Sequence, residues 1–166
     1  MQDNSKEVEL SYLAGIMDGE GAIFITRDVY ASKNPVYRCE TRVGMIDQKP
    51  IMRLYNAFGG TWLLEKPYHH KRPMYRWLGS NREVLVYTLN LLMPYLDVKK
   101  EQAILALQFI EKFPARRGHW APTGQIDEKL EYWVKMRELN GLAMPATTER
   151  TGKRGRSKSV RLDATV

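Results

Sequence analysis

The stretch Leu13–Ile25, LAGIMDGEGAIFI, changes its structural period in the middle, and no other segment restricts the fold as tightly. Upstream, Val8, Leu10, Leu13, Ala14 and Met17 recur at helical spacing, and Asn4 followed by Glu7 reads as a capping box. A first helix is therefore predicted from Asn4 to about Asp18. Downstream, Ala22 to Val29 alternates and is rich in β-formers, which predicts a strand. Two carboxylates, Asp18 and Glu20, stand among glycines at the join. A helix C-terminus is the negative end of the helix dipole, so an exposed acid there costs about 0.3–1 kcal/mol. Something positive has to offset the pair. A nearby Lys or Arg suffices, and so does a divalent cation, since Mg²⁺ commonly takes only one or two protein carboxylates. The residues by themselves leave both open.

Gly15 and Gly19 are four residues apart, hence on one helical face, and Ala14 widens that strip of small residues. Missing side chains let a second backbone approach, whether from a neighbouring helix of the same chain or from another molecule. Val36 to Asp47 makes the second strand of a hairpin, with ASKNP as its turn. Gln48-Lys49-Pro50 suits a helix start, and IMRLYNAF continues at helical spacing to the Gly59-Gly60 break. A second hairpin, Thr61 to Lys66 and Met74 to Leu78, is joined by PYHHKRP. Asn81-Arg82 leads into a helix stopped by Pro94, Val98 to Phe113 forms another, and a last one runs from about Gln125 to Asn140, ending at Gly141. The order is helix, hairpin, helix, hairpin, helices, an α+β arrangement in one domain over residues 1–145. Residues 146–166 form a basic tail with six basic residues against one acid in Glu149–Arg161. The opening stretch has no second copy, so no tandem repeat is expected.

The bulk numbers narrow the function classes. With 166 residues and 43% hydrophobic content the chain can bury a core. A net charge of +7, from 26 basic and 19 acidic side chains, favours a polyanion such as nucleic acid as partner. The single cysteine, Cys39, excludes an internal disulfide and a multi-cysteine metal site, as a reducing intracellular compartment permits. The N-terminus lacks the apolar core of a signal peptide and no run approaches transmembrane length, so a soluble protein without a membrane partner is expected.

LAGIMDGEG resembles the signature of the LAGLIDADG homing endonucleases, and the element order that follows is similar to their αββαββα domain. The resemblance spans about Ser11 to Asn140 and is closest to the single-motif members that work as homodimers. It implies a curved, antiparallel, four-stranded DNA-binding sheet per subunit with helices packed on its other face. It also implies that signature helices of two subunits pack through Ala14, Gly15 and Gly19, with Asp18, the first acid, structural or interfacial. Glu20, the second acid, would be the metal ligand, assisted by the backbone carbonyl of Gly19. Gln48 in MIDQKP corresponds to a glutamine that orders water, and Lys99 in VKKEQA to a catalytic lysine; read without the resemblance, both are ordinary helix-start residues. Two departures stand out. The catalytic acid is Glu where many relatives carry Asp, and a basic residue that some relatives place after the glutamine has no clean match, Met52 being nearest and Arg53 one along.

The implied activity is a site-specific double-strand break in a long, roughly palindromic DNA target, dependent on Mg²⁺. Mn²⁺ is expected to substitute, and Ca²⁺ to support binding without cleavage. A two-stranded ribbon fits the major groove and presents every second side chain to base edges. On the first hairpin that set is Phe24, Thr26, Asp28 and Tyr30, with Lys33 at the turn and Arg38, Glu40 and Arg42 on the returning strand. On the second hairpin the candidates are Lys66, Arg72 and Arg76, with His70 and Lys71 at the tip, while Tyr75 and Trp77 face the helices. Arg116, Arg117, Lys153 and Arg154 suit phosphate contacts. An RNA maturase on the same scaffold, a non-catalytic DNA-binding regulator and a basic ribonucleoprotein component are the rival readings.

Overall fold

The computed structural model describes residues 3–29, 34–65, 72–114 and 123–142. They form five helices and four strands: α1 (Asp3–Glu20), β1 (Gly21–Asp28), β2 (Val36–Met45), α2 (Gln48–Phe58), β3 (Thr61–Glu65), β4 (Met74–Gly79), α3 (Arg82–Leu92), α4 (Lys100–Lys112) and α5 (Thr123–Leu139). The strands make one antiparallel sheet in the order β1-β2-β4-β3. The two hairpins thus meet at their second strands, β2 against β4.

Alternation along each strand decides what the two faces become. Ile23 and Ile25 of β1, Cys39, Thr41 and Val43 of β2 and Trp77 of β4 are buried. They carry the helices, with α1, α4 and α5 against β1 and α2 against β2 and β4. Leu13, Met17, Leu54, Leu85, Leu89 and Leu92 close the core from the helical side, each worth about 1.5–3 kcal/mol when fully buried. The opposite face carries Phe24, Thr26, Asp28, Arg38, Glu40, Arg42 and Arg76 and is covered by no described helix. Burial pushes the Cys39 thiol up to about 12, so it acts as a small apolar residue of a strand.

Three local devices hold this arrangement. Trp77, fully buried, donates its indole N–H to the Gly59 carbonyl at 2.7 Å, which fastens β4 to the end of α2. The buried Thr41 hydroxyl donates to the Ala22 carbonyl at 3.1 Å. Helix α5 ends in a Schellman motif, with Gly141 N–H to Glu138 O and Leu142 N–H to Arg137 O, both at 2.9 Å, and Gly141 at φ 63°. Asn140 then donates its side-chain amide to the Ile23 carbonyl at 3.0 Å, docking that end on β1.

Several boundaries differ by a residue or two from the expectation. Helix α1 begins at Asp3, one residue before Asn4, and continues through Glu20, so both acids lie in its last turn. Helix α4 starts at Lys100 rather than Val98, and just ahead of it the N–H groups of Asp97 and Lys99 are taken by a side chain of another helix. No described helix is long and apolar enough to cross a membrane.

Gly60 has φ 91°, and a Cβ there would lie 2.6 Å from the Leu78 carbonyl oxygen. Gly60→Ala is therefore expected to lower the unfolding free energy by about 1–3 kcal/mol in urea titration, through backbone strain and that overlap. An unchanged midpoint would contradict the close approach of the α2–β3 turn to β4.

Candidate metal site and nucleic-acid interface

The two acids at the end of α1 have different fates. Asp18, half-buried, accepts the backbone N–H of Asp97 and of Lys99, one on each carboxylate oxygen, both at 2.9 Å. The Lys99 ammonium in turn donates to the Asp18 backbone carbonyl. Two helix ends are thereby joined with complementary charge. The carboxylate stands at the positive start of α4, and the ammonium stands at the negative end of α1. Lys99 occupies the N-cap position of α4 without a side-chain cap of its own, and Asp18, from a distant part of the chain, takes the N–H of Lys99 and of Asp97 just ahead of that helix.

Glu20, by contrast, is exposed and makes no hydrogen bond or ion pair among the described residues. Gly19 is exposed beside it, in the turn where helical acceptors run out of partners. The pairing Gly21↔Val43 puts this join at the same end of the sheet as the turn from β2 into α2. Gln48 opens α2 there, exposed, after Asp47 caps the helix by accepting the Lys49 N–H at 2.9 Å. Glu20, Gln48 and Lys99 thus belong to one end of the molecule. Among the described residues no three His, Cys, Asp or Glu side chains converge on a common point. A cation here has to draw most of its ligands from elsewhere.

The expected dimer strip divides in two. Ala14 is fully buried with Leu13 and Met17 in the chain's own core, which corrects its assignment to an intermolecular face. Asp18 is engaged within the chain, which is the structural of the two roles expected for it. Gly15 and Gly19 are exposed, and a Cβ on either would meet nothing within 4 Å. The chain's own packing therefore gives no reason for glycine at these two positions. Upstream on the same helix Val8 and Tyr12 are 63% and 41% exposed, and the spacing 8, 12, 15, 19 makes one stripe that sequence reading did not assemble.

Arg53 is held elsewhere. It donates from Nε to Glu9 Oε1 at 2.9 Å, pairs through Nη2 with the second carboxylate oxygen, and lies 3.8 Å over the Tyr12 ring. The guanidinium holds the Glu9 carboxyl below its ordinary value, and the pair ties α2 to α1.

On the open face of the sheet the expected side chains do share a side. Phe24 sits opposite Glu40, Thr26 opposite Arg38, and Gly44 opposite Arg76. Arg42 lies 4.5 Å over the Phe24 ring. Arg38 pairs with Asp28 at 3.5 Å, and Arg76 with Glu65 at 2.7 Å. Arg72 is exposed just ahead of β4. Tyr75 and Trp77 point to the helical side, as alternation predicts. Tyr30, Lys33, Lys66, His70, Lys71, Arg116, Arg117, Lys153 and Arg154 lie outside the described residues. Glu65 is the partner that sequence reading missed. Only the antiparallel register, which sets Leu63 opposite Arg76, brings Glu65 within reach of that guanidinium.

Neither a protein-family model nor a curated protein sequence matches the chain. Solved structures do. The homing endonuclease I-CvuI, in complex with its target in the presence of Ca, matches with a TM-score of 0.67 and 22% identity over 88% of this chain and 90% of its own. The group I intron-encoded homing endonuclease I-CeuI, complexed with DNA, matches with a TM-score of 0.61 and 17% identity, covering 82% and 69%. The LAGLIDADG homing endonuclease I-GzeII, in complex with a DNA target, matches with a TM-score of 0.59 and 16% identity, covering 77% and 43%. The chain has the fold of the LAGLIDADG homing endonucleases.

Asp18→Ala removes the acceptor of two N–H groups and is expected to lower the unfolding free energy by about 1–2 kcal/mol in urea titration. A midpoint equal to that of the unmodified protein would show that the α1–α4 joint does not depend on this carboxylate.

Proposed function

We propose that the chain is a homodimeric, divalent-metal-dependent DNA endonuclease that breaks both strands of a long, roughly palindromic site. The observation that carries the reading is the contrast at the end of α1. Asp18 is consumed by the fold, while Glu20, two residues on, is left exposed and unpaired among the described residues beside an open, arginine-bearing sheet. In this setting a chain of net charge +7 retains an acid that would repel DNA unless a cation stood between them.

The donor set fits Mg²⁺. It is all oxygen, one carboxylate and one carbonyl, and Mg²⁺ typically takes one or two carboxylates with water and substrate phosphate completing the shell. Glu20 and the Gly19 carbonyl would hold it. Bound there, the ion supplies Lewis-acid neutralisation of the scissile phosphate and a more acidic water. Lys99, tethered to the Asp18 carbonyl, adds positive potential for the charge that develops at the phosphate. The Gln48 amide, donor and acceptor at once, orders water at the same end of the molecule. Mn²⁺ would replace Mg²⁺, and Ca²⁺ would support binding alone.

One Glu20 per subunit serves one strand, so two strands call for two copies. Gly15 and Gly19, whose absent side chains the monomer does not require, form the face through which a second α1 can approach. A two-fold axis there doubles the sheet into an extended reading surface and makes the target palindromic. Phe24, Thr26, Asp28, Arg38, Glu40, Arg42, Arg72 and Arg76 face base edges and phosphates in this reading, with Tyr30, Lys33, Lys66, His70, Lys71, Arg116, Arg117, Lys153 and Arg154 extending it.

Glu20→Gln is expected to abolish cleavage of a selected duplex in Mg²⁺ while gel-shift affinity persists, and chelation of the metal should do the same to the unmodified protein. Retained cleavage by Glu20→Gln removes that residue from the site. Gly15→Leu is expected to yield a folded monomer in sedimentation velocity. Gly15→Ala decides the same point by sign: on a free helix face it should stabilise by about 0.5–1 kcal/mol. A packed dimer should be destabilised instead, so a gain in stability contradicts the interface.

A further inference from the structure

We infer that Glu65 is a positioning residue that aims Arg76 at a guanine, an inference that rests on the DNA-reading proposal above. Glu65 ends the edge strand β3, opposite Met74, and Arg76 lies two residues along β4, opposite Leu63. Arg76 Nη1 reaches Glu65 Oε1 at 2.7 Å, the short range of charge-assisted hydrogen bonds, with both side chains about a third exposed or less at 27% and 33%. On the other side of Arg76 stands Gly44 of β2, where a Cβ would come 3.0 Å from the Met74 sulfur and 3.8 Å from Arg76 Nε. The glycine leaves the arginine and methionine their lane across the sheet, and the glutamate fixes where the arginine ends.

The pairing discriminates between two uses of an arginine. A guanidinium meant for a phosphate gains nothing from an adjacent carboxylate, which repels the DNA backbone. One meant for a base edge loses little, since base edges carry no net charge, and it gains orientation. Of the five guanidinium N–H groups, the bond to Glu65 occupies one on Nη1. The Nε–Nη2 edge remains for bidentate contact with guanine O6 and N7, the commonest specific arginine contact. Arg42 serves as the internal contrast. It rests on the Phe24 ring and has no ion pair among the described residues, so it suits either use.

The test selects bound duplexes from a randomised library with the full-length protein and with Arg76→Ala, Glu65→Gln and Glu65→Asp, with circular dichroism to confirm folding. Binding to an unrelated duplex is measured in parallel over a range of salt. The unmodified protein is expected to prefer guanine at one base pair of each half-site, a preference of about 5- to 150-fold that Arg76→Ala removes. Glu65→Gln should reduce that same preference several-fold while tightening binding to the unrelated duplex, because it removes a negative charge. Glu65→Asp keeps the charge and shortens the arm, so it should lose the preference without the tightening. A Glu65→Gln protein that selects the same guanine as the unmodified one overturns the inference and leaves the endonuclease reading standing; the ion pair then serves only the sheet edge. A change at a different base pair, towards loss of cytosine, also overturns it, because Glu65 then reads a base itself. An unmodified protein that selects no sequence overturns the DNA-reading proposal, and this inference with it.

Discussion

The end of the molecule that carries Glu20 hangs on the joint between the last turn of α1 and the start of α4. Helix ends carry unsatisfied groups of opposite sign, and here each end is answered by a side chain from the other: Asp18 accepts two N–H groups ahead of α4, and Lys99 donates to a carbonyl of α1. The joint spans about eighty residues of sequence, yet it places Lys99 beside the turn that carries Glu20. A residue argued to support phosphate chemistry is thereby held by the helix that carries the acid.

The joint also divides the labour between two adjacent acids. A carboxylate that accepts two backbone N–H bonds at 2.9 Å is poorly placed to serve a cation as well. Glu20 has no such obligation among the described residues and is exposed, and Glu has one methylene more of reach than Asp. The sheet repeats this logic on a larger scale. One face is spent on the core through Ile23, Ile25, Cys39, Thr41, Val43 and Trp77, and the other is left open with arginines held by Asp28, Glu65 and the Phe24 ring.

Much of this was legible in the residues. Period-two alternation in Ala22–Val29 and Val36–Asp47 assigned the two sheet faces correctly, because a strand flips its side chains strictly by parity. Punctuation at Gly59-Gly60, Pro94 and Gly141 placed helix ends within a residue or two, since φ above zero and a missing N–H are local constraints. What was not legible depends on contacts between distant segments. Ala14 and Gly15 are neighbours in sequence, but 100° of helical rotation sends one into the core and the other to the surface; the small-residue strip looks continuous only on paper. The residues left Asp18 either structural or interfacial because its partners within the chain are about eighty residues away. Arg53 stood next to a position that some relatives fill with a basic residue, and its bond to Glu9 across the α1–α2 contact takes it out of the site. Glu65 carried no signal at all until the register of β3 against β4 was known.

The central claim is that Glu20 is free for a cation and Asp18 is not, and metal binding itself tests it most directly. Electron paramagnetic resonance of Mn²⁺ titrated into the protein–DNA complex should show bound ion for the unmodified protein and for Asp18→Asn, if folded, and its loss for Glu20→Gln. Retention of the ion by Glu20→Gln, or its loss only in a folded Asp18→Asn, would contradict the account.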